Sequence, residues 1–387
     1  DTSGEQMKRK YLWLIGGTSV LLVVVAALLL FPVMGAKNAN DKVYVAAEDA
    51  GRIDVISPKS RSVIAKIDLA NKEDADDTMY MAHNVQVAPD GKSVWVTANA
   101  MANHTASLKT RILNKLFPTA YADEGHDEVA TSSDQVVVID PLTDKITRRI
   151  DIGTDLHLAH VVLTPDSKFA LATSQNKAEV YKIDTETFKV VATAKATTNA
   201  QPRGLRISPD GKYADVAPMG GQSIGKLSLS RLAFAYIPLN GTPVQTGITT
   251  DGKYALASVF TDKSMAIVDT ATSNVRYAKL PSDAKGPLQL YPLSDARYAY
   301  VADQGNDFGQ PAGNSLYKVD VQQAKTIQTI PVGTAPHGVV VSPDDRYTYV
   351  TNMESNDVSV VDNSAGKEVA RIKVGKKPNG ISYWTKQ

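Results

Sequence analysis

The segment that most constrains the fold is Pro336–Gly375, PHGVVVSPDDRYTYVTNMESNDVSVVDNSAGKEVARIKVG. Four short apolar runs, VVVS, YTYVT, VSVV and EVARIKV, are separated by Pro-Asp-Asp, Glu-Ser-Asn-Asp and Asn-Ser-Ala-Gly. Val, Ile, Tyr and Thr suit the pleated, half-buried surface of a strand, and the residues between the runs are turn formers. The spacing predicts an antiparallel meander of four strands in about 40 residues. One such sheet leaves both apolar faces uncovered, so it needs a neighbour on each side.

The rest of the chain supplies those neighbours. The turn recurs as APDGK (88–92), TPDSK (164–168), SPDGK (208–212), TTDGK (249–253) and LSDAR (293–297). Third strands recur as RIDVIS (52–57), VVVID (136–140), EVYKID (179–184), GKLSLS (225–230), MAIVD (265–269), LYKVD (316–320) and VSVVD (358–362). First strands match them in number only if GISYW (380–384) is included, because the unit at 43–69 opens directly on a second strand, VYVAAE. The expected architecture is all-β: a seven-bladed β-propeller over 43–387, closed by pairing its first strand with its last.

YTYVTN, preceded by SPDDR and followed by NDVSVVD, resembles the YVTN β-propeller repeat of bacterial and archaeal surface and periplasmic proteins. The resemblance covers roughly residues 43–384. It implies the fold; such propellers serve as binding platforms, scaffolds and occasionally enzymes.

Composition narrows the chemistry. There is no cysteine, which excludes disulfides, iron–sulfur clusters, thiolate zinc, blue-copper ligation and covalent c-type haem. A formal net charge of +1 gives no argument for nucleic acid. Residues 11–34, YLWLIGGTSVLLVVVAALLLFPVM, are apolar and uncharged, longer than the ~20 residues that span a bilayer. Lys8, Arg9 and Lys10 precede them, so residues 1–10 are expected in the cytoplasm and the propeller outside, on the periplasmic side of the inner membrane. No A-x-A cleavage site follows the run, which favours an uncleaved anchor over a signal peptide. Residues 35–42 read as a short polar tether.

Antiparallel alternation puts the SPDGK-type turns at one end of the ring, the lower face, and the starts of the first strands at the other, the upper face. Three upper connections are long: 71–82, 98–135 and 303–314. Within the second, Thr105–Phe117 has the apolar period of a short helix. Long loops on a rigid scaffold are where partners bind, and these three are the expected protein-docking surface.

All six histidines fall on this upper face. His83 and His337 open first strands; Arg203 and Asn379 hold the same position in their blades, and His160 lies one step further in. His157 sits in a blade connection, and His104 and His126 in the long insertion. Val244 and Leu288 make the opposite arc apolar. Neutral imidazole is the commonest metal ligand, so His83, His160, His337 and His126 are candidate ligands for copper or zinc, or neighbours of a tetrapyrrole, with Arg203 and Asn379 as cofactor-binding residues. The plainer alternative is a half-buried channel mouth that binds water and carbonyl groups. Gly221-Gln222-Ser223-Ile224-Gly225 matches the nucleophile-elbow pattern but precedes a propeller strand, the wrong setting for an elbow. The leading expectation is therefore a non-catalytic scaffold subunit, with a metal- or tetrapyrrole-binding accessory second and a propeller hydrolase or lactonase third.

Overall fold

The computed structural model describes residues 40–71, 78–101 and 132–386. Internal contacts divide the chain into Asp1–Asn40 and Asp41–Gln387, and the propeller belongs to the second unit. The apolar run 11–34, the tether up to residue 39, residues 72–77 of the acidic loop and 102–131 of the insertion, with His104 and His126, lie outside the described residues. Among the described residues no helix is long and apolar enough to cross a membrane.

Among the described residues twenty-eight strands, β1 to β28, form seven four-stranded antiparallel sheets. Blade 1 combines β28 (Pro378–Trp384) with β1 (Lys42–Ala47), β2 (Arg52–Ser57) and β3 (Ser62–Asp68). Blades 2 to 7 follow in sequence over residues 80–153, 158–195, 202–238, 243–279, 287–331 and 336–373. Their innermost strands are β4 (Tyr80–Val87), β8 (Leu158–Leu163), β12 (Pro202–Ile207), β16 (Pro243–Ile248), β20 (Pro287–Pro292) and β24 (Pro336–Val341). With β28 these touch in an unbroken circle around a central channel.

The two termini close the circle as the sequence requires. Val43 faces Tyr383 and Val45 faces Ile381 across the β1–β28 ladder. Trp384 Nε1 donates to the Gly91 carbonyl at 2.7 Å and Tyr383 OH to Asp41 at 2.9 Å, so the last strand is fastened to blade 2 and to the residue preceding β1. The predicted third strands are all present. That of blade 4 runs Ser223–Ser228, two residues earlier than GKLSLS suggests, because Ser228 already opens the turn that Leu232 N closes onto its carbonyl.

The core lies between blades rather than within them. One cluster joins Tyr44, Ile53 and Val55 of blade 1 to Val85, Val96 and Val137 of blade 2; the next joins Trp95 and Val138 to Leu158 and Val161 of blade 3. Alternate residues of each strand face opposite neighbours, so every sheet is buried on both faces.

The YVTN residues now have physical roles. Thr351 Oγ1 accepts from Gly338 N at 2.7 Å and donates to the Asn379 carbonyl of the next blade at 2.7 Å. Thr97 and Thr173 make the same double contact in blades 2 and 3, as does Ser258 in blade 5. One hydroxyl thereby satisfies an inner amide and bolts two blades together. Asn352 Nδ2 reaches Asp357 and Ser359, both at 2.9 Å, and holds the following turn.

Candidate functional site

The amide that Thr351 satisfies belongs to a β-bulge, and the bulge recurs at the same place in all seven innermost strands. In β24 the register runs Pro336↔Asn352 and then Val339↔Val350, leaving His337 and Gly338 as the inserted pair. The equivalent shifts fall at His83/Asn84, Ala159/His160, Arg203/Gly204, Leu288/Gln289 and Asn379/Gly380, and in β16 at Val244, with Gln245 paired to Ser258. A bulge re-aims side chains and is common beside functional sites. Here it gives each blade two residues at the upper mouth instead of one.

Three blades carry glycine at the second bulge position because there is no room for more. A Cβ on Gly338 would stand 2.4 Å from the Asn379 carbonyl oxygen, and one on Gly380 2.7 Å from Asn84 Cα. The residue before the strand is left-handed in four blades, at His157, Gln201, Ala335 and Lys377, with φ near +50°. Such backbone strain is held only where surrounding structure fixes it.

The structure brings His83, His160, His337 and Arg203 together. All three rings are almost wholly buried, at 1–2% exposure, deeper than a half-buried mouth would place them. His83 Nδ1 lies 3.1 Å from the Ala159 carbonyl, and His157 packs edge-on against its ring at 6.0 Å. His337 Nδ1 bonds Gln304 Oε1 from the 303–314 loop. His160 Nε2 is 3.2 Å from Gln289 Nε2, a contact between blades 3 and 6 that crosses the channel. Gln289 Oε1 in turn accepts from Gln245 Nε2. Asn379 turns away to Glu48, at 2.9 Å, and Arg203 reaches Met219 Sδ at 3.7 Å.

These contacts fix the tautomers. A carbonyl oxygen can only accept, so His83 and His337 carry their proton on Nδ1 and present the Nε2 lone pair. An amide nitrogen can only donate, so His160 accepts at Nε2 and carries its proton on Nδ1. His337 Nε2 and His160 Nδ1 are both buried and find no partner among the described residues. Burial, then Arg206, His83, Arg203 and His337 hold the His160 pKa well below the usual imidazole range; burial, Arg203 and His83 do the same to His337. His160 and His337 thus sense each other or His83 and the nearby arginines, and both are held neutral at pH 7.

The opposite arc is apolar, as Val244 and Leu288 predict. They pack with Phe260, against which Phe308 of the 303–314 loop lies at 4.9 Å. Gln245, Gln289, Gln304 and Arg206 are the residues that strand counting misses. The bulge displaces the register by one, and the signal for it is the repeated Pro-x-x at 202, 243, 287, 336 and 378. Among the described residues no group of three or more His, Cys, Asp or Glu side chains is disposed to hold a metal ion. A groove of about 930 Å³ lies at the other end of the molecule, between the lower turns of blades 3 and 4, where Lys182 and Lys226 cover the Phe169 and Tyr213 rings; it has no contact with this site.

Fold and site together define a seven-bladed β-propeller with a polar arc and an apolar arc at its upper channel mouth. Residues 239–387 match the model of the YNCE-like beta-propeller family, in keeping with the YVTN resemblance. No curated protein matches the sequence. Solved structures share the fold at low identity. Kuenenia stuttgartiensis hydrazine synthase aligns with TM-score 0.60 at 18% identity, over 77% of this chain and 88% of that one. A functionally unknown protein from Desulfotomaculum acetoxidans aligns with TM-score 0.65 at 14%, over 89% and 99%. The dihydro-heme d1 dehydrogenase NirN, in complex with DHE, aligns with TM-score 0.57 at 12%, over 88% of this chain and 65% of that one.

Proposed function

We propose that the chain is a non-catalytic binding protein of the cell envelope. It is held to the membrane by residues 11–34, takes a small ligand at the upper mouth of its channel, and offers the loops 71–82, 98–135 and 303–314 to a protein partner. The carrying observation is the pair of buried, unpartnered ring nitrogens, His160 Nδ1 and His337 Nε2, from different blades of one channel. A buried polar group left unpaired costs about 1–3 kcal/mol, which a ligand making that contact recovers.

A second reading has its own support. His83 and His337 both donate Nδ1–H to oxygen and leave Nε2 as a lone pair, the tautomer in which imidazole binds a metal. Copper or zinc held by His83 and His337, with His160 or His126 adding a donor, would make the protein a metal-binding accessory. A tetrapyrrole against the apolar arc is the corresponding cofactor reading, with Arg203 as the partner of its acidic groups.

The test is a thermal-shift panel on the purified full chain in detergent, with copper, zinc, haem, sulfate and oxalate, alongside native mass spectrometry. At least one ligand should raise the melting temperature of the wild type and fail to do so in H83A/H337A. A chain that carries no small molecule and responds to none of the panel sinks the channel-ligand reading and leaves the loops as the only binding surface. Carbonate washing should leave the protein in the membrane fraction; complete release would overturn the anchor.

A further inference from the structure

Arg203 and Arg206 stand on one short strand, β12, at the inner edge of blade 4. Arg206 is partly accessible, and burial pulls its pKa below the usual guanidinium range. Its Nη1 donates to the Leu205 carbonyl at 2.8 Å, and Arg203 donates to a thioether. Neither guanidinium has an ion pair among the described residues. A guanidinium is always charged and carries five N–H donors, so most of this donor capacity is unspent.

Among the described residues no carboxyl group pairs with either guanidinium. Asp215 is directly opposite Arg206 in register, at a position held by Leu171, Leu256, Tyr300 and Tyr349 in other blades. Burial pushes its pKa up to about 7, its Oδ2 has no partner, and the charge that acts on it is Lys226 on its other side. Glu48 and Asp307, at the upper rim, are engaged by Asn379 and Gln304. Tyr291 of blade 6 is the remaining titratable group near Arg206, and burial keeps its phenol protonated. The groups acting on His160 are two arginines and two histidines, with no carboxylate among them.

We infer that the central channel is an anion site, built to take the carboxylate or oxyanion head of a small molecule between His160 Nδ1–H of blade 3 and the arginines of blade 4. His160 is the observation that points to a ligand, independently of the charge. Its Nε2 is committed to Gln289, so its proton is on Nδ1, buried and without an acceptor. An anionic oxygen supplies that acceptor and meets the unspent donors of two guanidinium groups at once. The assignment rests on the channel-mouth reading above and names its ligand class.

The charge balance sets the sign of the pH dependence. His160 and His337 are neutral in the empty channel because burial disfavours their cations, as do Arg206 and Arg203 at His160 and Arg203 at His337. An anion reverses that balance, so binding takes up a proton and tightens as pH falls, by up to tenfold per pH unit for one proton. A divalent metal at the same histidines behaves oppositely, because it competes with protons.

Titration calorimetry of the full chain in detergent, with sulfate and with oxalate at pH 8, 7 and 6 and constant ionic strength, tests this. Both anions keep a fixed charge over that range. The expected result is one site per chain, severalfold tighter at pH 6 than at pH 8 and at least tenfold weaker in R206Q. R371Q, on the outermost strand, should bind as wild type does. If R206Q fails to fold, R203Q and the wild-type pH profile carry the test. Absence of binding, affinity that rises with pH, or undiminished binding in the folded variant overturns the anion assignment. A chain that takes copper or zinc through His83 and His337 but neither anion ends this inference and keeps the channel-mouth reading; one that takes neither ends both.

Discussion

The two ends of the ring are made from the same repeat and treat it in opposite ways. At the lower face the blades are near copies. Ser208, Thr249 and Ser342 each donate a hydroxyl hydrogen bond of 2.6–2.7 Å to the Asp two residues on, which then accepts from a backbone N–H. The residue after that Asp is left-handed in blade after blade, which is why glycine stands there at 91, 211 and 252. At the upper face the backbone repeats just as faithfully, down to the bulge, but no two blades carry the same pair of residues there. Repetition at one end maintains the ring; variation at the other, on an invariant backbone, is where a site can be written without disturbing the fold.

The sharpest way to break that comparison is acid. His160 and His337 have folded-state pKa values below those of the unfolded chain, so below about pH 6.5 the unfolded state binds protons that the folded state refuses. The stability they support is present above pH 6.5 and is lost as pH falls, at up to about 1.4 kcal/mol per pH unit for each ring. Asp215 runs the other way: its raised pKa means that stability is lost as pH rises from about 4 to 7. Denaturant melts of wild type and H160Q/H337Q between pH 7.5 and 5 should separate the two, with the double variant losing the acid-side decline. An identical decline in both proteins would show that the upper rings are not the buried neutral groups described.

A smaller effect sharpens the comparison from the lower end. Ser342 Oγ donates to Asp344 and accepts from Tyr347 N, and nothing in the turn replaces it. S342A should lower stability by about 1 kcal/mol, leave the pH profile unchanged and leave anion or metal binding intact. A binding defect in S342A would mean the two ends are coupled through blade 7 and that their division of labour is wrong.

How much of this was legible in the chain depends on how local the signal is. The propeller, its seven blades and the pairing of VYVAA with GISYW could be counted, because turn chemistry and strand periodicity act over a few residues and ring closure follows from the count. The convergence of His83, His160, His337 and Arg203 was also legible, since equivalent positions in a cyclic repeat must surround the axis. Burial depth was not. A count of positions cannot say that neighbouring innermost strands approach so closely that Gly338 and Gly380 leave no space for a methyl group.

The sequence alone therefore determined the architecture, the two faces and the convergence of His83, His160, His337 and Arg203 on the axis. Only the tertiary structure decided which nitrogen of His83, His160 and His337 bears the proton, that Gln289 crosses the channel to His160, and that Arg206 and Asp215 stand opposite in register in blade 4. Those facts depend on a one-residue bulge and on contacts between residues more than a hundred positions apart. Local pattern carries no information about them; hydrogen-bond geometry across the closed ring does.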